Sequence, residues 1–209
     1  MKALAKLGEY SVDYYQRKIK QSNPSENYTL IDCDFAAINA YLPDQYESLQ
    51  SPVRELINEA HQQGITRLLL PNITLHHCFY LFPEWLQGIK LYDPFELLKG
   101  VLQDQPVCIL GSCYMQESLV LNERLQQANL DLVKLDATML TKVDEIRKSI
   151  YSGGCLPEHR EALNDIAQRL AKKYTVVIAC TELSIALSDV SSHIIDLAGL
   201  QIAAFLADI

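Results

Sequence analysis

The chain has 209 residues, 49% of them hydrophobic and 21% charged, which suits one large or two small folded domains rather than a disordered segment. A formal net charge of −8 argues against a nucleic-acid surface or an anionic-membrane surface as partner. No apolar run approaches the ~18 residues that span a bilayer, and Met1 to Lys6 lacks the apolar stretch of an export signal, so a cytoplasmic protein is expected.

In chain order, Thr29 to Ile31 reads as a short buried strand. Val53 to Gln63 places Val53, Leu56, Ile57 and Ala60 on one helical face, and Gly64 stops it. A second strand, Arg67 to Leu70, runs into the polar turn Pro71-Asn72-Ile73-Thr74. The pattern breaks at Tyr92-Asp93-Pro94, which sets an expected boundary between a first domain, 1–97, and a second, 98–195. Val107 to Leu110 is the next strand, Glu161 to Lys172 a helix with Leu163, Ile166, Ala167 and Leu170 inward, and Val176 to Ala179 a further strand. Leu197 to Ile209 is an apolar helix, and 196–209 is expected to pack back on the first domain. Alternating strands and helices predict an α/β protein with parallel sheets. The two halves look alike, which suggests a duplication with the site in the crevice between them.

Six cysteines, at 33, 78, 108, 113, 155 and 180, include no CxxC pair and have neither zinc-cluster nor secreted-scaffold spacing, so free thiols and no metal are expected. Parallel α/β sheets bind ligands at the carboxyl ends of their strands. The turns there read Pro71-Asn72-Ile73-Thr74-Leu75-His76, Gly111-Ser112-Cys113-Tyr114-Met115 and Ala179-Cys180-Thr181-Glu182-Leu183.

These turns resemble motifs of the aspartate/glutamate racemase family. The last resembles Gly-Cys-Thr-Glu with alanine for glycine, the first Pro-Cys-Asn-Thr-x-His, and the second Gly-Thr-x-x-Thr. Leu7-Gly8-Glu9-Tyr10-Ser11, Asp34-Phe35, Ile150-Tyr151 and Ile195-Asp196 are similar to further family segments in the same order, so the resemblance covers nearly the whole chain. It implies two Rossmann-like halves related by a pseudo-twofold axis, a homodimer, and no cofactor. It also implies an amino acid or related carboxylate as small-molecule substrate. One thiolate would remove the α-proton while a thiol on the other face returns one.

Residue by residue, the resemblance makes Cys180 the second catalytic cysteine, ahead of a helix whose amides would favour a thiolate. Thr181 would donate hydrogen bonds to substrate or cap that helix, and Glu182 would orient neighbours or serve as a first-turn carboxylate. Asn72 stands where the first catalytic cysteine belongs, and a neutral amide cannot abstract an α-proton. Thr74, Ser112 and Ser11 match substrate-binding positions. His76 is either a replacement base or a hydrogen-bonded structural group, with His77 and Cys78 facing away on the next helix. Met115 and Ile73 replace polar family residues, Ser152 and Ile38 replace basic ones, and Cys113 is an outside candidate for a second thiol. Three functions follow in order: an amino-acid racemase, a binding protein that has lost its chemistry, and a single-cysteine decarboxylase or isomerase of the same superfamily.

Overall fold

The computed structural model of the chain describes residues 1–102, 106–118, 123, 131–188 and 191–207, with residue 116 known by its backbone. It divides into two compact units, Met1–Asp93 with Gln201–Ile209, and Pro94–Leu200.

The first unit holds β1 (Lys2–Ala5), β2 (Thr29–Ile31), β3 (Arg67–Leu69) and β4 (Lys90–Leu91) in the order β2-β1-β3-β4. The second holds β5 (Val107–Leu110), β6 (Leu132–Val133), β7 (Thr175–Ile178) and β8 (Ile194–Asp196) in the order β6-β5-β7-β8. Every pairing is parallel. Both sheets therefore place their first and third strands centrally. The α/β expectation with parallel sheets holds.

β5 and β7 are buried along their whole length, which is why Val-Cys-Ile-Leu and Thr-Val-Val-Ile show no apolar–polar alternation. Helices Ala137–Gly153 and Pro157–Ala171 cover this sheet, contributing Val143, Ile146, Ile150, Leu163, Ile166 and Ala167 to one core. Helix Tyr46–Gln62 does the same in the first unit through Leu49, Val53, Leu56, Ile57 and Ala60. It starts before the expected Val53 and contains Pro52. The helix expected from Glu161 begins at Pro157, whose missing N–H is harmless in a first turn.

The final helix, Leu197–Ala207, is apolar, and the expected last two positions, 208 and 209, lie outside the described residues. Within the first unit Phe205 is buried edge-on against Tyr28 and Tyr92, and its carbonyl accepts from Lys2 Nζ at 2.8 Å. Among the described residues no helix is long and apolar enough to cross a membrane.

Candidate active site

In the second unit, β7 leads through buried Ala179 to Cys180, which is extended (φ −156°, ψ 130°) and precedes the short helix Thr181–Ala186. Cys180 is half-buried, and its Sγ donates to Glu182 Oε2 at 2.7 Å. Burial pushes the thiol well above its ordinary pKa, and the Glu182 charge and this hydrogen bond add to the effect. The Arg147 charge opposes them and loses. These effects favour the protonated thiol, against the thiolate that helix amides alone would favour. A helix of six residues offers too small a dipole to reverse the desolvation.

Helix Ala137–Gly153 packs against both Thr181–Ala186 and the short helix Cys113–Glu117 that follows β5. Its residues Asp144, Arg147 and Lys148 share a face by their i, i+3, i+4 spacing. Arg147 Nε donates to Asp144 Oδ1 at 2.7 Å, and Lys148 Nζ lies 2.8 Å from Asp144 Oδ2. Side-chain exposures of 7% for Asp144, 22% for Arg147 and 67% for Lys148 grade this face from core to solvent. Burial pushes the Asp144 carboxyl up, but hydrogen bonds from Lys148 and Arg147 outweigh it and hold the group below its ordinary pKa. The Cys113 thiol is raised, first by burial and then by the Asp144 charge and a hydrogen bond to it. Two thiol–carboxylate pairs, Cys180–Glu182 and Cys113–Asp144, therefore follow neighbouring strands. Asp144 and Arg147 do not stand out in the sequence, where an acid followed by bases at i+3 and i+4 reads as a solvated helix face.

Ser112 caps its helix, Oγ accepting from the Met115 amide at 3.3 Å. Met115 is buried over Gly111, where an added Cβ would meet its side chain at 3.2 Å. Thr181 is buried beside Cys180, and Ser184 Oγ, 2.6 Å from Asp196 Oδ1, ties this helix to the end of β8.

In the first unit, Ser11 is buried on helix Glu9–Ser22 after β1, while Asn72, Thr74 and His76 follow β3, the neighbour of β1. Asn72 Oδ1 accepts from the Leu75 amide at 3.0 Å, closing the turn. Ile73 is buried. His76 is fully buried with Nε2 3.1 Å from Gln201 Nε2. Gln201 Nε2 also donates to the Tyr92 carbonyl at 2.7 Å, and Gln201 Oε1 accepts from Tyr15 at 2.6 Å. Tyr92 can only accept, so the amide orientation is fixed, and His76 Nε2 must accept, with its proton on Nδ1. His77 and Cys78 lie on the helix His76–Leu81 and are both buried. Burial and the neighbouring His76 push His77 down to about 4, against the opposing Asp93 charge.

Among the described residues no three or more His, Cys, Asp or Glu side chains gather as a metal site, and the six cysteines are unpaired thiols. The structure thus places Ser112, Cys180, Thr181 and Glu182 at the carboxyl edge of one sheet, and Ser11, Asn72, Thr74 and His76 at that of the other.

No protein-family model and no curated protein sequence matches the chain. Solved structures share its fold. A putative Asp/Glu racemase from Yersinia pestis superposes with a TM-score of 0.77 at 18% identity, covering 100% of this chain and 99% of its own. An aspartate racemase homologue from Pyrococcus horikoshii gives 0.78 at 15% identity, covering 99% and 96%. An aspartate racemase from Picrophilus torridus gives 0.72 at 16% identity, covering 100% and 93%. The architecture is therefore that of the Asp/Glu racemases.

Proposed function

We propose that the chain is a cofactor-independent, racemase-like enzyme that moves the α-proton of an aspartate- or glutamate-type amino acid through Cys180. The observation that carries this reading is the Cys180 Sγ to Glu182 Oε2 hydrogen bond of 2.7 Å at the end of a central strand. A protonated thiol is ready to deliver a proton to a carbanion. In the reverse direction Glu182 takes the thiol proton, the sulfur takes the α-proton, and the electron pair is left on the substrate's enolate. Ser112 and Thr181 supply hydroxyl donors near that charge. Asn72, whose amide oxygen is engaged by the Leu75 N–H, is neither an acid nor a base at neutral pH and so cannot serve as a second proton carrier. Chemistry from the Cys180 side then outpaces inversion.

Aspartate or glutamate incubated in deuterated water reports this by proton NMR. Loss of the α-proton signal, faster than loss of optical rotation, is the expected result, and Cys180→Ala should abolish it. Equal exchange in that variant, or none in the natural chain, would overturn the reading. The burial of Ile73 and Met115, where the resemblance expects polar contacts, favours a second reading, a binding protein on the same fold. Carboxylate binding without exchange is the outcome that selects it.

A further inference from the structure

We infer that Arg147 is the cation that receives a carboxylate of the ligand beside Cys180, and that Asp144 is the positioning residue that aims it; the inference rests on the reading of Cys180 as the reacting group. Arg147 sits on the helix that packs against both short helices following β5 and β7. Its Nε is taken by Asp144 Oδ1 at 2.7 Å, and among the described residues Asp144 is its hydrogen-bond partner. The two Nη groups, with four N–H bonds in a planar fork, are thereby left to match a carboxylate bidentately.

Asp144 cannot swing away. It is buried, and its Oδ2 is held by Lys148 at 2.8 Å while the Cys113 thiol bonds to the same carboxylate. Lys148 extends into solvent and completes the neutralisation of Asp144, so the Arg147 charge is not consumed by its partner. The helix of Arg147 packs against the helix that follows Cys180, and the Arg147 charge acts on Cys180 and on Glu182. At 22% exposure Arg147 is open to a ligand yet dry enough for its charge to count. A guanidinium on the α-carboxylate also strengthens its contact as α-proton removal drives charge onto those oxygens.

The test is protection of Cys180 from iodoacetamide by succinate, with neutral succinamide as control, read peptide by peptide by mass spectrometry in the natural chain, Arg147→Lys and Arg147→Met. Succinate should slow alkylation of the natural chain about tenfold. Arg147→Met should lose this protection, and Arg147→Lys, a point charge without the fork, should keep a fraction of it. Because each ratio is taken within one variant, a changed baseline reactivity does not enter, and the lysine variant decides if the methionine one fails to fold. Full protection of either variant, or none in the natural chain, would overturn the assignment. Exchange that persists without Arg147-dependent protection sinks Arg147 alone. Protection without exchange sinks the proton-transfer reading and leaves Arg147 as a carboxylate-binding residue.

Discussion

Opposed effects act on the Cys180 thiol. Desolvation and the Glu182 carboxylate both favour the protonated sulfur, and the Arg147 charge only reduces their sum. Glu182→Gln removes the repulsive charge and the strongest acceptor of the S–H proton. Alkylation of Cys180 at pH 8 should therefore accelerate, about tenfold for each pKa unit recovered. The same variant should lose α-proton exchange, because the group that takes the thiol proton is gone. A thiol that became more reactive and kept full exchange would show Glu182 to be a bystander. Cys180, Thr181 and Glu182 were legible in the sequence because consecutive residues after a strand stay together when the chain folds. Arg147 and Asp144 were not, since a pair at i and i+3 on an amphipathic helix reads as a solvated ion pair worth little. Only the packing of that helix on its neighbours draws Asp144 and Arg147 inward while Lys148 stays in solvent. His76 carried two meanings, and the amide of Gln201, distant in sequence, gives it a defined tautomer.

At the scale of elements, the helix that carries Asp144 and Arg147 is set by its ends. Asp136 accepts from the Met139 amide at 2.9 Å, and Gly154 leaves the helix at φ +80°, a conformation that costs a side chain about 1 kcal/mol or more. Asp136→Ala should lower stability to urea by about 1 kcal/mol while the alkylation rate of Cys180 stays unchanged. A shifted rate would mean that this cap also fixes the register of the Arg147 face. Strand positions were readable because doubly covered strands are continuous apolar runs, as in Val107–Leu110 and Thr175–Ile178. The two-residue strands Lys90–Leu91 and Leu132–Val133 carry no such signal, and their pairing depends on a neighbour already in place. Helix starts moved for a similar reason. Pro157 is a legitimate first residue, whereas apolar periodicity becomes visible only from Glu161 onward.

For the molecule as a whole, the buried His77 links stability to pH. Its folded value is lowered from 6.5 to about 4, so the unfolded chain takes up a proton before the folded one does. The contribution is complete above pH 6.5 and is lost as pH falls towards 4, with a limit of about 3 kcal/mol for the full shift. Urea denaturation at a series of pH values should show this decline, and His77→Leu should flatten it. An unchanged slope in that variant would assign the acid sensitivity to carboxylates instead. The matching strand orders of the two sheets agree with the likeness of the two halves in sequence, which rests on repeated helix–strand–turn segments.

The first unit is assembled from two stretches of chain separated by the whole of the second. On the ribosome, Pro94–Leu200 emerges as one uninterrupted piece and can close its core as soon as it is free. Residues 1–93 hold their own core, but are complete only when Gln201 docks against Tyr15, Tyr92 and His76, and Phe205 fills its place between Tyr28 and Tyr92. The earlier-made part of the protein is thus the later-finished one. Its bare apolar seat is the surface that a chaperone would meet during synthesis.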